Sequence, residues 1–436
     1  MGPLLGGCTP WPQEFVDRYW AAGHWRGNTL DNLLREWAQR YGPRTALVHG
    51  ATRVTYAHLN RRVDRMAAGF RLRGLSPGLR VVVQLPNVPE FVVTLFALMR
   101  AGVVPVLCPV SRSVADLPEI VRLTQAVGYV GPAAHHGVDH TAVAADIAAR
   151  WPFLRRVFTL PAPGDSSPYG GLTTDSAGCQ YAELGTVDAA PGPSLAQSAD
   201  QVAFLLLAEA PGAPRLVPRT HNDYAYQARA AAEAVSLTQD DVYLTALPAG
   251  SNLALGGPGI IGTLAVGGTV VLAEDVGTPD WLAAVEREGV TVASPGSDAG
   301  CAGFEPGAAS LRLVQVPGHA VPAPAPDHRL QQVFGGPEGP LLLAPPGAPA
   351  QPLSPDDEFR VVDEEGKDVP DGSPGRLLAR GPCTPRGYYR APEAEAAFTP
   401  SGWFRTGLRA RRMPGGGLLV CGSVGEGGGG EERWAT

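Results

Sequence analysis

Leu30, Leu33, Leu34 and Trp37 recur three and four residues apart, which puts them on one face of a helix. Leu59, Val63, Met66, Ala67 and Phe70 repeat that spacing, and Thr55 stands where it can cap the turn before them. Between these and later helical stretches lie short apolar runs. Val81 to Leu85 and Val103 to Leu107 suit strands buried on both faces, with a helix over Val88 to Met99 between them. Such strand–helix–strand alternation over residues 29 to 150 predicts a mainly parallel sheet covered by helices, an α/β fold. Residues 160 to 200, rich in Pro, Gly, Ser and Asp, read as a surface connection.

The pattern resumes with a strand at Val202 to Leu207, a Pro/Gly turn, and a helix from about Asp223 to Val235. Asp241 to Leu247 and Gly268 to Ala273 read as strands, with Gly257 to Leu264 between them. From Pro295 to Pro352, 21 of 58 residues are Gly or Pro. Proline costs about 3 kcal/mol inside a helix, so few helices are expected there. Phe359 to Asp363 alternates as a strand, Glu364 to Lys367 makes a turn, and a further strand begins at Gly375 to Ala379. The last residues have no apolar periodicity. The divisions expected are an extension (1–28), two α/β units (29–200 and 201–352), a β-rich unit (353–422) and a disordered tail (423–436).

Composition narrows the function. The net charge of −7 leaves no basic surface for a nucleic-acid backbone, so a nucleic-acid partner is not expected. The most apolar stretch, Phe91 to Val110, is interrupted by Arg100 and Pro105, and no run reaches the roughly 20 residues of a membrane helix. The N-terminus lacks a basic segment followed by an apolar one, and Gly6 breaks the myristoylation pattern. A soluble, cytoplasmic protein is expected. Cys8, Cys108, Cys179, Cys301, Cys383 and Cys421 form no CxxC pair and read as isolated thiols. His135, His136 and His140 lie close in sequence but have no acidic or cysteine partner at ligand spacing. Of 35 basic residues only Lys367 is a lysine, so any chemistry needing two lysines is excluded.

The segments WPQEFVDRYWAAGHW, VTYAHLNRRVDRMAAGF, VQLPNVPEFVVTLFALMRAGVVPVL, LVPRTHNDY, LQQVFGGPEG, SPDDEFRVVDEEGKDVPDG and RGPCTPRGYYRAPEAEAAFTPSGWFRTG follow one another in order. Together they resemble the adenylate-forming superfamily, in particular the stand-alone aryl-acid–AMP ligases of siderophore and nonribosomal peptide synthesis. That resemblance implies two αβαβα-type subdomains and a small distorted β-barrel piece. It also implies ATP and Mg2+ as cofactors and 2,3-dihydroxybenzoate or salicylate as the acid. The acyl group would pass to the thiol of an aryl carrier protein.

Residue by residue, the resemblance is uneven. The phosphate loop falls on Leu207 to Arg215, where the family's hydroxyls are absent and Gly212, Pro214 and Arg215 remain beside Glu209. An ordinary strand-to-helix turn is the alternative there. Asn252 matches the asparagine that meets the aryl acid, with Ser251 in place of a histidine, Leu253 in place of an aromatic and Gly257 in place of Ser or Cys. Asn252 is otherwise a turn residue satisfying nearby backbone.

Pro317-Gly318-His319 matches the turn beside adenine, Phe334 the stacking aromatic, and Glu338 the Mg2+ ligand, which is otherwise a solvated loop carboxylate. The helices flanking these segments look shortened. Leu408 stands where an aspartate takes both ribose hydroxyls, a loss of about 1.5–3 kcal/mol per contact. Gly425 to Glu432 occupy the place of the hinge into a C-terminal domain whose lysine stabilises developing charge, so that domain is expected to be absent. Lys367 is expected in a solvated turn, and His221 as a loop-orienting residue. Three readings stay open: an impaired aryl-acid–AMP ligase, an inactive homologue binding an aryl acid or a biosynthetic partner, and a truncated copy of an active ligase.

Overall fold

The computed structural model describes all residues except 1–3, 113, 163–171, 177, 209–213, 274–277, 297–308, 319–328, 346–347 and 424–436. Three large sheets, beside a two-stranded one of Ala134–His135 and Val138–Asp139, organise the described residues. The first has eight strands, in the order Arg215–Thr220, Val202–Ala208, Val104–Leu107, Arg80–Val83, Gly128–Pro132, Arg156–Leu160, Gln180–Glu183 and Thr173–Thr174. Its interior pairs are parallel and its two edges antiparallel. Val81, Val82 and Val83 are buried, as strands covered on both faces require.

The second sheet has nine strands. Gln351–Pro352, Leu342–Ala344, Leu330–Phe334, Leu313–Pro317, Val292–Ser294, Val242–Thr245 and Thr269–Leu272 are followed by Thr45–His49 and Thr52–Thr55. Its last two members come from the start of the chain: Leu47 and Val48 pair in parallel with Val270 and Val271. Sheet membership therefore crosses the division drawn at 200, because residues 202–220 complete the first sheet and 45–55 the second.

Helices Leu30–Tyr41, Tyr56–Leu72, Pro89–Arg100, His221–Ala234 and Gly259–Val266 share one apolar core with inward residues of both sheets. In Pro89–Arg100 every residue but Glu90 is buried, the pattern of a helix enclosed on all sides. Arg100 at its end is buried too, and donates to Asp64 Oδ1 at 2.9 Å and to the Asp31 carbonyl at 2.9 Å. Leu117–Thr124 and His140–Arg150 cover the outer face of the first sheet, and Thr278–Glu288 that of the second. The Thr55 hydroxyl accepts from the His58 amide at the start of its helix.

A four-stranded antiparallel sheet follows: Glu358–Val362, Pro374–Arg380, Phe404–Arg412 and Leu418–Ser423. No helix of the described residues is long and apolar enough to cross a membrane.

Some expectations need correction. Leu207 to Arg215 does not join a strand to a helix: Val202–Ala208 and Arg215–Thr220 are antiparallel neighbours. Pro218 hid the second strand from a pattern-based reading, yet an edge strand tolerates a missing donor. Gln180–Glu183 joins the first sheet within the stretch read as a surface connection. Gly257 to Leu264 begins at the C-cap of one short helix, Asn252–Gly256, and takes in most of the next, Gly259–Val266. Gly212, Cys301, His319, the tail from 424 and the shortened helices expected beside residues 313–334 lie outside the described residues.

Candidate functional site

The edge strand Arg215–Thr220 runs directly into the helix His221–Ala234 through a capping box, in which the Thr220 hydroxyl and the Asp223 side chain each satisfy the other's backbone amide. This tight junction aligns Arg219, Asp223 and Gln227 at successive spacings of four. Arg219 is fully buried. Its Nε donates to Asp223 Oδ1 at 2.8 Å, its Nη2 to Gln227 Oε1 at 2.9 Å, and its Nη1 to the Pro337 carbonyl at 2.8 Å. The guanidinium carbon lies 4.6 Å from the Tyr224 ring centroid. Burial opposes the charge on Arg219, but the Asp223 carboxylate together with Cys383 and Tyr224 outweighs it and keeps the guanidinium protonated. An unpaired charge here would be costly, so the hydrogen-bonded pair is a condition of the fold.

Gln227 passes this order on to Asn252. Asn252 Oδ1 accepts from Gln227 Nε2 at 3.0 Å and from the Tyr224 hydroxyl at 3.1 Å, while its Nδ2 donates to the Gly336 carbonyl at 2.8 Å. An amide oxygen has two lone pairs and an amide nitrogen two hydrogens. Both acceptor positions are therefore taken, and one N–H remains. Asn252 is buried and serves tertiary structure well beyond its own turn. Ser251 caps its short helix through the Ala254 amide. A Cβ built on Gly257 would lie 2.9 Å from Leu341 Cδ1, and one on Gly335 2.9 Å from Leu341 Cδ2. These two glycines thus close around one leucine.

Glu338 is not the solvated carboxylate that its sequence position allowed: it is buried, and its Oε1 accepts from the Tyr388 hydroxyl at 2.8 Å. Burial pushes its carboxyl above the usual range, against the pull of Tyr388, Arg219 and Arg215. Arg215 lies over the Tyr388 ring, 5.6 Å from its centroid. Mg2+ needs only one or two carboxylates beside water and phosphate oxygens. One oxygen of Glu338, Oε1, is engaged by Tyr388. Among the described residues no three His, Cys, Asp or Glu side chains are placed to share an ion. Among the described residues, Glu338 by itself does not complete a Mg2+ site.

Phe334 and Gly318 touch so closely that a Cβ on Gly318 would fall 2.2 Å from the ring. Phe334 and Leu408 pack on the same small cluster, with Leu342 and Val361. The strip from Phe334 to Glu338 thus meets Asn252 through Gly336, Arg219 through Pro337, Tyr388 through Glu338, and the neighbourhood of Leu408 through Phe334.

Other candidates have structural roles. His221 Nδ1 accepts from the Leu30 amide at 3.1 Å, and burial lowers its pKa to about 4, so it is neutral. His140 Nδ1 lies 3.1 Å from the buried Tyr129 hydroxyl. Lys367 sits in an exposed turn in which its amide donates to Asp363. Arg219, Gln227, Tyr224 and Tyr388 were not singled out from sequence. The Arg-x3-Asp-x3-Gln spacing was the available signal for the first two.

The sequence model of the AMP-binding enzyme family matches residues 34–389. Salicylyl-CoA synthase / salicylate adenylyltransferase of a Streptomyces species is 40% identical over 444 residues, covering 95% of this chain and 79% of that protein. Salicyl-AMP ligase / salicyl-S-ArCP synthetase of Mycobacterium tuberculosis is 38% identical over 447 residues, covering 96% and 77%. Among solved structures, apo MbtA of Mycobacterium smegmatis superposes with a TM-score of 0.85 at 39% identity, over 96% of this chain and 80% of that one.

Proposed function

The chain belongs to the AMP-binding enzyme family, and from that premise we propose that it is an aryl-acid–AMP ligase-type protein weakened in its nucleotide half. Its acid is salicylate or 2,3-dihydroxybenzoate, and its cofactor ATP. The acid's carboxylate oxygen attacks the α-phosphorus of ATP, pyrophosphate leaves, and the acyl-AMP then meets the thiol of an aryl carrier protein in the cytoplasm. Relatives bearing salicylate and 2,3-dihydroxybenzoate names at 35–40% identity support the acid class.

The observation that carries the reading is Asn252. Its amide is fixed in one orientation and keeps a single N–H for a ligand, which suits a carboxylate or phenol oxygen. Ser251 and Gly257 border that place. On the nucleotide side, Gly212, Arg215, Gly318, Phe334 and Glu338 are the candidate contacts. Glu338 would offer Mg2+ its Oε2 while Oε1 accepts from Tyr388. Leu408 offers no acceptor to a ribose, and residues 207–215 contain no hydroxyl. The acid half is therefore better preserved than the nucleotide half.

That imbalance favours a second reading, an inactive homologue that holds an aryl acid without turning it over. Pyrophosphate exchange driven by salicylate or 2,3-dihydroxybenzoate separates the two. Weak, acid-dependent exchange supports the first reading, and calorimetric aryl-acid binding without exchange supports the second. Exchange as fast as in the salicylate-activating relatives would overturn the weakening, and no aryl-acid binding would overturn both.

A further inference from the structure

An amide can turn either its oxygen or its nitrogen towards a ligand, and the two orientations fill nearly the same space. At Asn252 the choice is made two side chains away, along a line with one fixed end. A guanidinium has five donors and no acceptor. Arg219 is fully buried and its Nη2 donates at 2.9 Å to Gln227 Oε1, so the oxygen of Gln227 must face it. The other end of Gln227 is then all donor. Its Nε2 donates to Asn252 Oδ1 at 3.0 Å and to the Gly256 carbonyl at 3.2 Å, at the two ends of the short helix Asn252–Gly256. Gln227 is buried as well. Turning it over would set donor against donor at Arg219, and acceptor against acceptor at Asn252 and at Gly256.

Asn252 inherits that direction. Its Oδ1 is taken by Gln227 and by the Tyr224 hydroxyl, and its Nδ2 donates to the Gly336 carbonyl. What it keeps for a ligand is a hydrogen, never a lone pair.

Aromatic acids differ in what they show such a hydrogen. In salicylate the phenol hydrogen is held by the neighbouring carboxylate, and the phenol oxygen keeps a lone pair facing outward. In 2-aminobenzoate the nitrogen lone pair is drawn into the ring, and the outward atom is another hydrogen. Benzoate has nothing polar there. Resting on the aryl-acid reading above, we propose that Gln227, locked by Arg219, is a positioning residue that makes the pocket select acids with an ortho acceptor and reject acids with an ortho donor.

Calorimetric titration of the full chain with salicylate, benzoate and 2-aminobenzoate is the test. The expected order of affinity in the wild type is salicylate, then benzoate, then 2-aminobenzoate. At least about tenfold should separate the first from the last, since one good contact is exchanged for two opposed hydrogens. Q227E still accepts from Arg219 but sets an oxygen against Asn252 Oδ1, which drives the amide over and brings that ratio towards one. A Gln227 with only a structural role would lower all three affinities together and keep the ratio, and that result overturns the proposal. A wild type that binds 2-aminobenzoate as tightly as salicylate overturns it too, while leaving the aryl-acid reading in place. A wild type that binds none of the three overturns that reading and the proposal together. Should Q227E fail to fold, Q227M removes the same donor without adding a charge and is titrated in its place, with the same fall in the ratio expected and an unchanged ratio overturning the proposal.

Discussion

The Tyr388 hydroxyl donates to Glu338 Oε1 at 2.8 Å, joining a loop after the β-rich sheet's second strand to the strip that follows Phe334. Tyr388→Phe removes that donor and leaves a buried carboxylate short of one partner. Stability is expected to fall by about 1–3 kcal/mol, read as a lower urea midpoint with unchanged m-value. Glu338→Gln keeps an acceptor for Tyr388 and should cost less. A double-mutant cycle with the two changes then returns a clear coupling energy.

Asp357 gives the chain a pH signature. It accepts from the Tyr226 hydroxyl at 3.3 Å while its Oδ2 has no partner among the described residues, and burial, helped by Asp356, pushes its pKa to about 7. Between about pH 4 and 7 the folded state keeps a proton that the unfolded state has released. Stability from this group therefore falls as pH rises through that window, with a limiting slope of roughly 1.4 kcal/mol per pH unit. Asp357→Asn should remove the slope and make the protein more stable than wild type at pH 8.

His221 slopes the other way. Its pKa is lowered from 6.5 to about 4, so its contribution is complete above 6.5 and is lost as pH falls towards 4. The two slopes oppose each other between about 4 and 6.5. His221→Asn, whose amide oxygen can still accept from Leu30, is expected to unmask the fall with rising pH. Asp357→Asn unmasks the reverse. Urea titrations at several pH values across this range distinguish them, and parallel slopes in both variants would contradict the assignment.

Leu408→Asp places a carboxylate where the proposed function would have it meet the ribose. If a lost contact there limits nucleotide use, acid-dependent pyrophosphate exchange should rise about tenfold, the equivalent of roughly 1.4 kcal/mol. Because Leu408 packs beside Phe334, the variant should also be less stable in the absence of ATP. Unchanged exchange with ATP would place the weakness elsewhere.

Asn252→Leu removes the one N–H that the proposed function assigns to the acid, along with its fixed amide. Calorimetric binding of salicylate should disappear while the far-ultraviolet dichroism of the fold is retained. Salicylate affinity equal to wild type would show that the acid does not meet Asn252.

Much of this could be read from the chain before its fold. The runs at Val81 and Val103 and the face from Leu59 to Phe70 followed from apolar spacing. What stayed hidden has physical causes. Pro218 reads as a strand breaker, and only its place at a sheet edge makes it harmless. Arg219 reads as a surface charge, since its burial depends on Asp223, Gln227 and a carbonyl 118 residues away. Asn252 stood out in the sequence, but not the Gln227 and Tyr224 contacts that set which way its amide faces. Glu338 looked solvated because its partner, Tyr388, lies 50 residues further on.

The parallel pairing of Thr45–His49 with Thr269–Leu272 has a bearing on how the chain is made. The early strand emerges from the ribosome more than two hundred residues before its neighbour, so through most of synthesis one side of an apolar hairpin has nothing to lie against. Closing so large a loop late is slow, and an open strand edge invites the wrong partner meanwhile. Nascent chains halted before residue 269 should therefore bind holdase chaperones and resist native-like protection of residues 45–49, whereas chains extended past 272 should release them.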